Sequence, residues 1–136
     1  MWKNKKKVIN PKPKIKIKRV TNSVSLINAD NSIGFVAADT GIKETIKIAK
    51  KTGIAFVGIK NSGHYGLSGY YIEQAVKKNL LAFAFTNAPP AIAPHGGKKT
   101  IFGTNPICFG SPTNNNIPFI LDLSLIHIWR CRRDYR

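Results

Sequence analysis

Two short apolar runs, residues 54–59 and residues 80–85, each follow a stretch of helical periodicity. This alternation limits the fold more narrowly than any other feature of the chain. Over residues 41–52 the apolar stripe is Ile42, Ile46 and Ala49, with Asp39 or Thr40 as the expected cap, Lys50 and Lys51 in the last turn and Gly53 as the stop. Leu67, Tyr70, Tyr71, Gln74 and Ala75 repeat helical spacing over residues 67–78, between an N-cap at Ser68 and a C′ residue at Asn79. The β-branched and aromatic runs between them read as strands covered on both faces. Strand, helix, strand, loop, helix, strand predicts an α/β fold, a mixed sheet with helices and some parallel pairing.

The remaining segments read as strands and turns. Ile15, Lys16, Ile17 and Lys18 alternate as an edge strand with one buried face would, after Pro11 and Pro13 have kept the backbone extended. Residues 20–30 read as a second strand ending in a turn at residues 28–31 (Asn, Ala, Asp, Asn). Residues 107–110 and 117–123 complete the strands, with Asn114, Asn115 and Asn116 turning between them and Pro118 at the start of the last. The chain thus divides into a basic arm with an edge strand (1–19), a folded region (20–124) and an Arg-rich tail (125–136).

Two loops carry the candidate chemistry. The first is Asn61-Ser62-Gly63-His64-Tyr65-Gly66, a histidine between two glycines at the end of a strand. Glycine opens backbone angles closed to other residues. Histidine, with an unperturbed pKa of roughly 6.5, exchanges a proton near neutrality. His64 is therefore a candidate general acid or base; the alternative is a surface loop whose histidine bonds locally. The second loop, residues 86–106, holds four prolines and three glycines and shows no periodicity. Loops of that length are uncommon in compact domains and tend to be functional. Asn87, Thr104 and Asn105 offer neutral donors and acceptors suited to an amide or a ribose hydroxyl. A rigid structural crossover is the competing reading.

The net charge of +16 suggests nucleic acid until it is divided. Residues 1–19 carry +9 and residues 125–136 carry +3, which leaves +4 for the 105 residues between. A nucleic-acid module carries its basic stripe on the folded face, and the sequence shows no RNP-type aromatic cluster, zinc spacing or helix-turn-helix. A small basic RNA- or DNA-binding protein remains the alternative reading, with the arm and tail as its contacts. Apart from Arg19, every Arg lies in the last twelve residues, so the tail reads as foreign to what precedes it or as an RNA-binding tail. His64, His95, His127, Cys108 and Cys131 lack metal-ligand spacing, and no metal is expected. His95, Tyr70 and Tyr71 are expected to pack. No apolar run approaches the roughly 20 residues of a membrane-spanning helix.

Taken together, Asn10-Pro11-Lys12-Pro13-Lys14-Ile15, the His64 loop, Gly69-Tyr70-Tyr71, Thr86-Asn87, Ala93-Pro94-His95-Gly96-Gly97, Gly103-Thr104-Asn105-Pro106 and Leu121-Asp122-Leu123-Ser124 resemble the malate/L-lactate dehydrogenase family. This is the second, non-Rossmann type, which includes ureidoglycolate and sulfolactate dehydrogenases and diketogulonate reductase. The resemblance spans about residues 9–124. It implies a non-Rossmann NAD(P)-binding fold, in keeping with the lack of Gly-x-Gly-x-x-Gly. It also implies NAD- or NADP-dependent interconversion of a 2-hydroxy acid and its 2-oxo acid by cytoplasmic homodimers. His64 falls on the family's proton-exchanging histidine. Ala88 and Pro89 fall on its cofactor loop, without the polar side chains often found there, and Asp122, Leu123 and Ser124 fall on the segment along the dinucleotide. The family's His-Gly-x-x-Arg motif, whose His and Arg serve proton transfer and substrate-carboxylate binding, has no counterpart before Asn10. The chain therefore reads as a fragment truncated at both ends and expected to be inactive alone, with its substrate-binding residues unassigned.

Overall fold

The computed structural model describes residues 9–115 and 117–123. The basic start and the Arg-rich tail lie outside them. The chain forms two compact units, Met1–Leu67 and Ser68–Arg136, each of which has its own sheet and helix.

The first unit is built on β2 (Val24–Ser32), flanked by β1 (Lys16–Arg19) and β3 (Phe56–Ser62) in the order β1-β2-β3. The β1 strand runs antiparallel to β2, with Lys16 opposite Asn28. The β3 strand runs parallel to it, with Ile27 opposite Ile59, and α1 (Gly34–Thr52) makes the crossover. Ser25, Ile27 and Ala29 of β2 and Ala37 and Ile48 of α1 are fully buried. The edge strand forms where the alternation predicts, but all four of its residues are exposed. At the end of a three-stranded sheet, the single helix covers the centre and not the margin.

The expected turn at residues 28–31 is a β-bulge inside β2. The register shifts between Asn28 and Ser32, with Asp30 and Asn31 in the left-handed region at φ 52° and 55°. Asn and Asp tolerate that conformation because their short side chains bond locally. The Asp30 N–H donates to Asn28 Oδ1 at 3.1 Å, and Asp30 Oδ2 accepts from Asn10 Nδ2 at 2.9 Å and from the Lys14 N–H at 3.0 Å. One carboxylate thereby ties the segment after Asn10 to the strand.

The first helix begins seven residues before the expected start and has no side-chain cap at Ile33. Asp39, an expected cap, instead pairs with Lys43 at 2.6 Å, and the Thr40 hydroxyl donates to Val36 O. The buried stripe is Gly34, Ala37, Gly41 and Ile48, leaving Ile42, Ile46 and Ala49 half-buried on its flank. Small residues face the sheet because the helix lies close to it: a Cβ on Gly41 would fall 2.6 Å from Ile59 Cδ1. Gly53 ends the helix as expected, at φ 80° with its N–H on Ala49 O.

The second unit comprises α2 (Ser68–Val76), β4 (Ala82–Phe85), β5 (Ile107–Ser111) and β6 (Phe119–Leu123), an antiparallel sheet in the order β4-β5-β6. Ile72, Val76 and Cys108 form the core, with Ala82, Ala84 and Ile120 packed against them. On α2 the buried face includes Tyr71 and Ala75 as expected, whereas Leu67 and Tyr70 are exposed. The helix ends in a Schellman arrangement: Asn79 is left-handed at φ 58°, with its N–H on Val76 O and the Leu80 N–H on Ala75 O.

Neither β3 nor β4 is covered on both faces, contrary to the reading of their apolar runs. Phe56, Phe83 and Phe85 are each more than 60% exposed. One helix per unit covers one face of each sheet. On the other face of the second sheet Phe83 stacks on Phe85 at 6.0 Å and meets Phe109 at 4.7 Å.

Gly110 on β5 lies directly under α2, since a Cβ there would meet Ile72 Cγ2 and Val76 Cγ2. Overpacking of this kind costs about 1–3 kcal/mol. Gly110→Ala is expected to lower unfolding stability by that amount, measured as a shift in denaturant midpoint at unchanged slope.

Candidate active site

The His64 loop follows directly from β3. Its Gly63 N–H donates to Ser32 O at 3.2 Å, and Asn61, at φ 55°, donates through Nδ2 to Asn28 Oδ1 at 3.0 Å. Gly34, the first residue of α1, lies so close to the loop that a Cβ would collide with the carbonyl oxygens of Gly63 and His64. Gly66 is left-handed at φ 80°, and a Cβ there would come within 2.6 Å of the Phe35 ring. The loop is thus set down on the start of α1 at two glycines. His64 itself is exposed, and its Nδ1 accepts the Gly66 N–H at 3.1 Å. The histidine bonds locally through Nδ1, and no hydrogen-bond partner is found for Nε2 among the described residues.

The segment spanning residues 86–106 folds back on itself in the second unit. The Thr86 N–H donates to Pro106 O at 3.3 Å, closing the base, and Ile92 pairs with Phe102 as an isolated antiparallel bridge. The Ala88 N–H donates to Asn105 Oδ1 at 2.9 Å, while Gly103 packs against Ala88 O with no room for a side chain. The acceptor oxygen that the sequence offers at Asn105 is therefore used within the loop. Pro89 is exposed and Ala88 half-buried. His95, expected to pack, is exposed.

Asp122 and Cys108 are opposite partners on β6 and β5, so both side chains lie on the face that α2 covers. Asp122 Oδ2 accepts the Gly69 N–H at 3.0 Å, in the first turn of a helix with no acid of its own there. A carboxylate in that position satisfies an orphan donor and the positive end of the helix dipole. The other oxygen, Oδ1, is buried without a hydrogen-bond partner among the described residues. Burial, and secondarily the charge of Asp122, push the Cys108 thiol up to about 11, against a smaller opposing effect of the Phe109 backbone. Leu121 and Leu123 point to the uncovered face and are exposed; Ser124 lies outside the described residues.

Residues 2–130 match the family model for malate/L-lactate dehydrogenase. The chain belongs to the malate/L-lactate dehydrogenase family. It is 45% identical over 100 residues to malate/(S)-sulfolactate dehydrogenase of Methanothermus fervidus, covering 74% of this chain and 30% of that one. It is 39% identical over 111 residues to (2R)-3-sulfolactate dehydrogenase (NADP(+)) of Chromohalobacter salexigens, covering 82% of this chain and 33% of that protein. The structure of malate dehydrogenase from Pyrococcus horikoshii superposes with a TM-score of 0.79 at 41% identity, over 85% of this chain and 33% of that one. The chain spans about a third of the length of these relatives. The α/β architecture, with its mixed sheet and non-Rossmann connectivity, is therefore that of the malate/L-lactate dehydrogenases.

Of the site residues expected for this family, His64 lies in the first unit and Ala88, Pro89, Asp122 and Leu123 lie in the second. Among the described residues no three His, Cys, Asp or Glu side chains are grouped to hold a metal ion, and no helix is long and apolar enough to cross a membrane. Sequence reasoning missed Gly34 and the Gly66 and Gly69 amides, and it read Asn105 as facing a ligand where its carboxamide serves the loop itself. The three glycines act through close approach or the main chain. Glycine where no turn is needed was the available signal, and Gly34 and Gly69 fit it.

Two measurements follow from the Asp122–Cys108 pair. Between about pH 9 and 11 the unfolded chain loses the Cys108 proton and the folded chain keeps it. Stability is therefore expected to fall as pH rises through that window, by about 1.4 kcal/mol per pH unit from this group. Denaturant titrations at pH 8 and 10.5 should show the fall in the parent chain and a smaller one in Cys108→Ala. Asp122→Ala, which removes the acceptor at the start of α2, is expected to cost about 0.5–2 kcal/mol, and Asp122→Asn less, by thermal or denaturant unfolding.

Proposed function

We propose that this chain forms part of a dehydrogenase that interconverts a 2-hydroxy acid and its 2-oxo acid with NAD or NADP. The names of its relatives support the substrate class, and one of them specifies NADP(+). The observation that carries the reading is the exposed imidazole of His64 on a loop pinned by Gly34 and Gly66, at the family's proton-exchanging position. A dinucleotide would draw on the second unit. Asp122 Oδ1 is a buried acceptor with no donor among the described residues, and it fits a hydroxyl or amide N–H of such a group. Leu123 offers exposed apolar surface, Ser124 continues the same segment, and the side chains of Ala88 and Pro89 offer shape but no polar atom.

When bound, the nicotinamide supplies or receives the hydride. This chain's residues do the remaining work. His64 engages the substrate oxygen where charge changes during the reaction. The closed loop at residues 86–106 presents a stiff wall with no acidic residue. Recognition of the substrate carboxylate calls for a cation, best a bidentate Arg. Residues 20–124 contain no Arg, and Arg19 is engaged by Glu44 at 3.2 Å and by Asn22 O. We assign that role to a residue outside residues 20–124. A cytoplasmic homodimer is the assembly we propose for the longer protein.

In a full-length protein carrying this sequence, NAD(P)H consumption with a panel of 2-oxo acids tests the assignment. His64→Ala is expected to lower kcat about 100-fold or more, the usual contribution of a positioned acid or base. Unchanged turnover in that variant would remove His64 from the reaction. Failure of every 2-oxo acid to be reduced would overturn the substrate class.

A further inference from the structure

The histidine loop bears on which ring nitrogen of His64 holds a proton. The Gly66 N–H donates to Nδ1 at 3.1 Å. A backbone N–H can only donate, so Nδ1 must present its lone pair; in a neutral imidazole the proton is then on Nε2. The contact is held from several sides. Gly66 adopts φ 80°, and the Phe35 ring lies against its Cα, leaving no room for a side chain. The His64 carbonyl lies against Gly34 at the start of α1, and Gly63 is tied to Ser32. The backbone that carries the ring and the amide that addresses it are thus held by the same two contacts with α1.

We propose that the Gly66 amide is a positioning group that keeps neutral His64 in the Nε2–H tautomer, so that the ring meets a substrate oxygen as a hydrogen-bond donor. The functional half of this proposal rests on the dehydrogenase reading above. A carbonyl oxygen of a 2-oxo acid accepts such a bond directly. The hydroxyl oxygen of a 2-hydroxy acid can accept it too, but its proton finds no lone pair on Nε2 while the Gly66 contact lasts. The resting loop is therefore prepared for the oxo acid, and taking up a hydroxyl proton requires the amide contact to open. A neutral imidazole that serves as a donor to a carbonyl is an established catalytic arrangement.

The test uses the whole 136-residue chain with labelled histidine and neither substrate nor cofactor. Long-range proton–nitrogen correlation spectra at about pH 9, where an imidazole is neutral, report the ratio of Nε2–H to Nδ1–H tautomers. His64→Gln identifies the His64 signals by their disappearance. Exposed His95 serves as the internal reference. One hydrogen bond to Nδ1 should raise the His64 ratio about two- to tenfold above that of His95. In Gly66→Ala, whose Cβ must displace Phe35, the excess should fall toward the reference value. A His64 ratio equal to or below that of His95, or an excess that survives in a folded Gly66→Ala, would overturn the proposal. If Gly66→Ala does not fold, the comparison within the parent chain decides alone. Turnover of the full-length protein is measured separately, so failure of the dehydrogenase reading and failure of the tautomer assignment are distinguishable.

Discussion

The approach of the Gly34 backbone to the carbonyls of Gly63 and His64 is the contact on which the histidine loop depends. It occurs because β2 and β3 are parallel neighbours joined through α1, so that the start of the helix and the end of β3 come out at the same end of the sheet. In parallel sheets this carboxyl end is where ligands tend to bind, since the loops there are positioned by the rigid strands beneath them. The bulge in β2 serves the same end of the unit. Its left-handed Asp30 and Asn31 let Asn28 reach both the Asp30 amide and Asn61, tying β2 to the strand that delivers the histidine.

The second unit obeys a comparable constraint with different chemistry. There an ionisable side chain, Asp122, meets the start of α2 from the neighbouring sheet and does the work that a cap within the helix would do. Its neighbour Cys108 is enclosed by the same helix and behaves as a small apolar residue, with the carboxylate beside it discouraging the thiolate. The two groups explain each other: the carboxylate needs the helix amide, and the thiol fills the space beneath that helix without asking for a partner.

Much of this was legible in the residues, and the misses share a cause. The helix stop at Gly53, the left-handed Asn79 and the strands at residues 107–110 and 117–123 came from local chemistry, which acts the same way in any context. The early start of α1 was not legible, because the expected helix opened only at Gly41 and nothing in side-chain identity showed that Gly34 lies against the Gly63 and His64 carbonyls or Gly41 against Ile59. Strands 54–59 and 80–85 were read as covered twice because an apolar run carries no mark of which face is covered. The family motifs marked His64, Ala88, Pro89, Asp122 and Leu123 as candidates. The residues that hold them were hidden because main-chain amides leave no trace in side-chain identity.

The covered face of β5 places Cys108 and Gly110 alternately under Ile72 and Val76. The gap between helix and sheet is therefore set by two of the smallest residues available, and it cannot widen without exposing the isoleucine and valine above them. A larger side chain at Gly110 would overpack against Ile72 and Val76. On the opposite face of the strand, half-buried Phe109 packs beside Phe83 and Phe119, so adjacent positions of one strand answer to different packing limits.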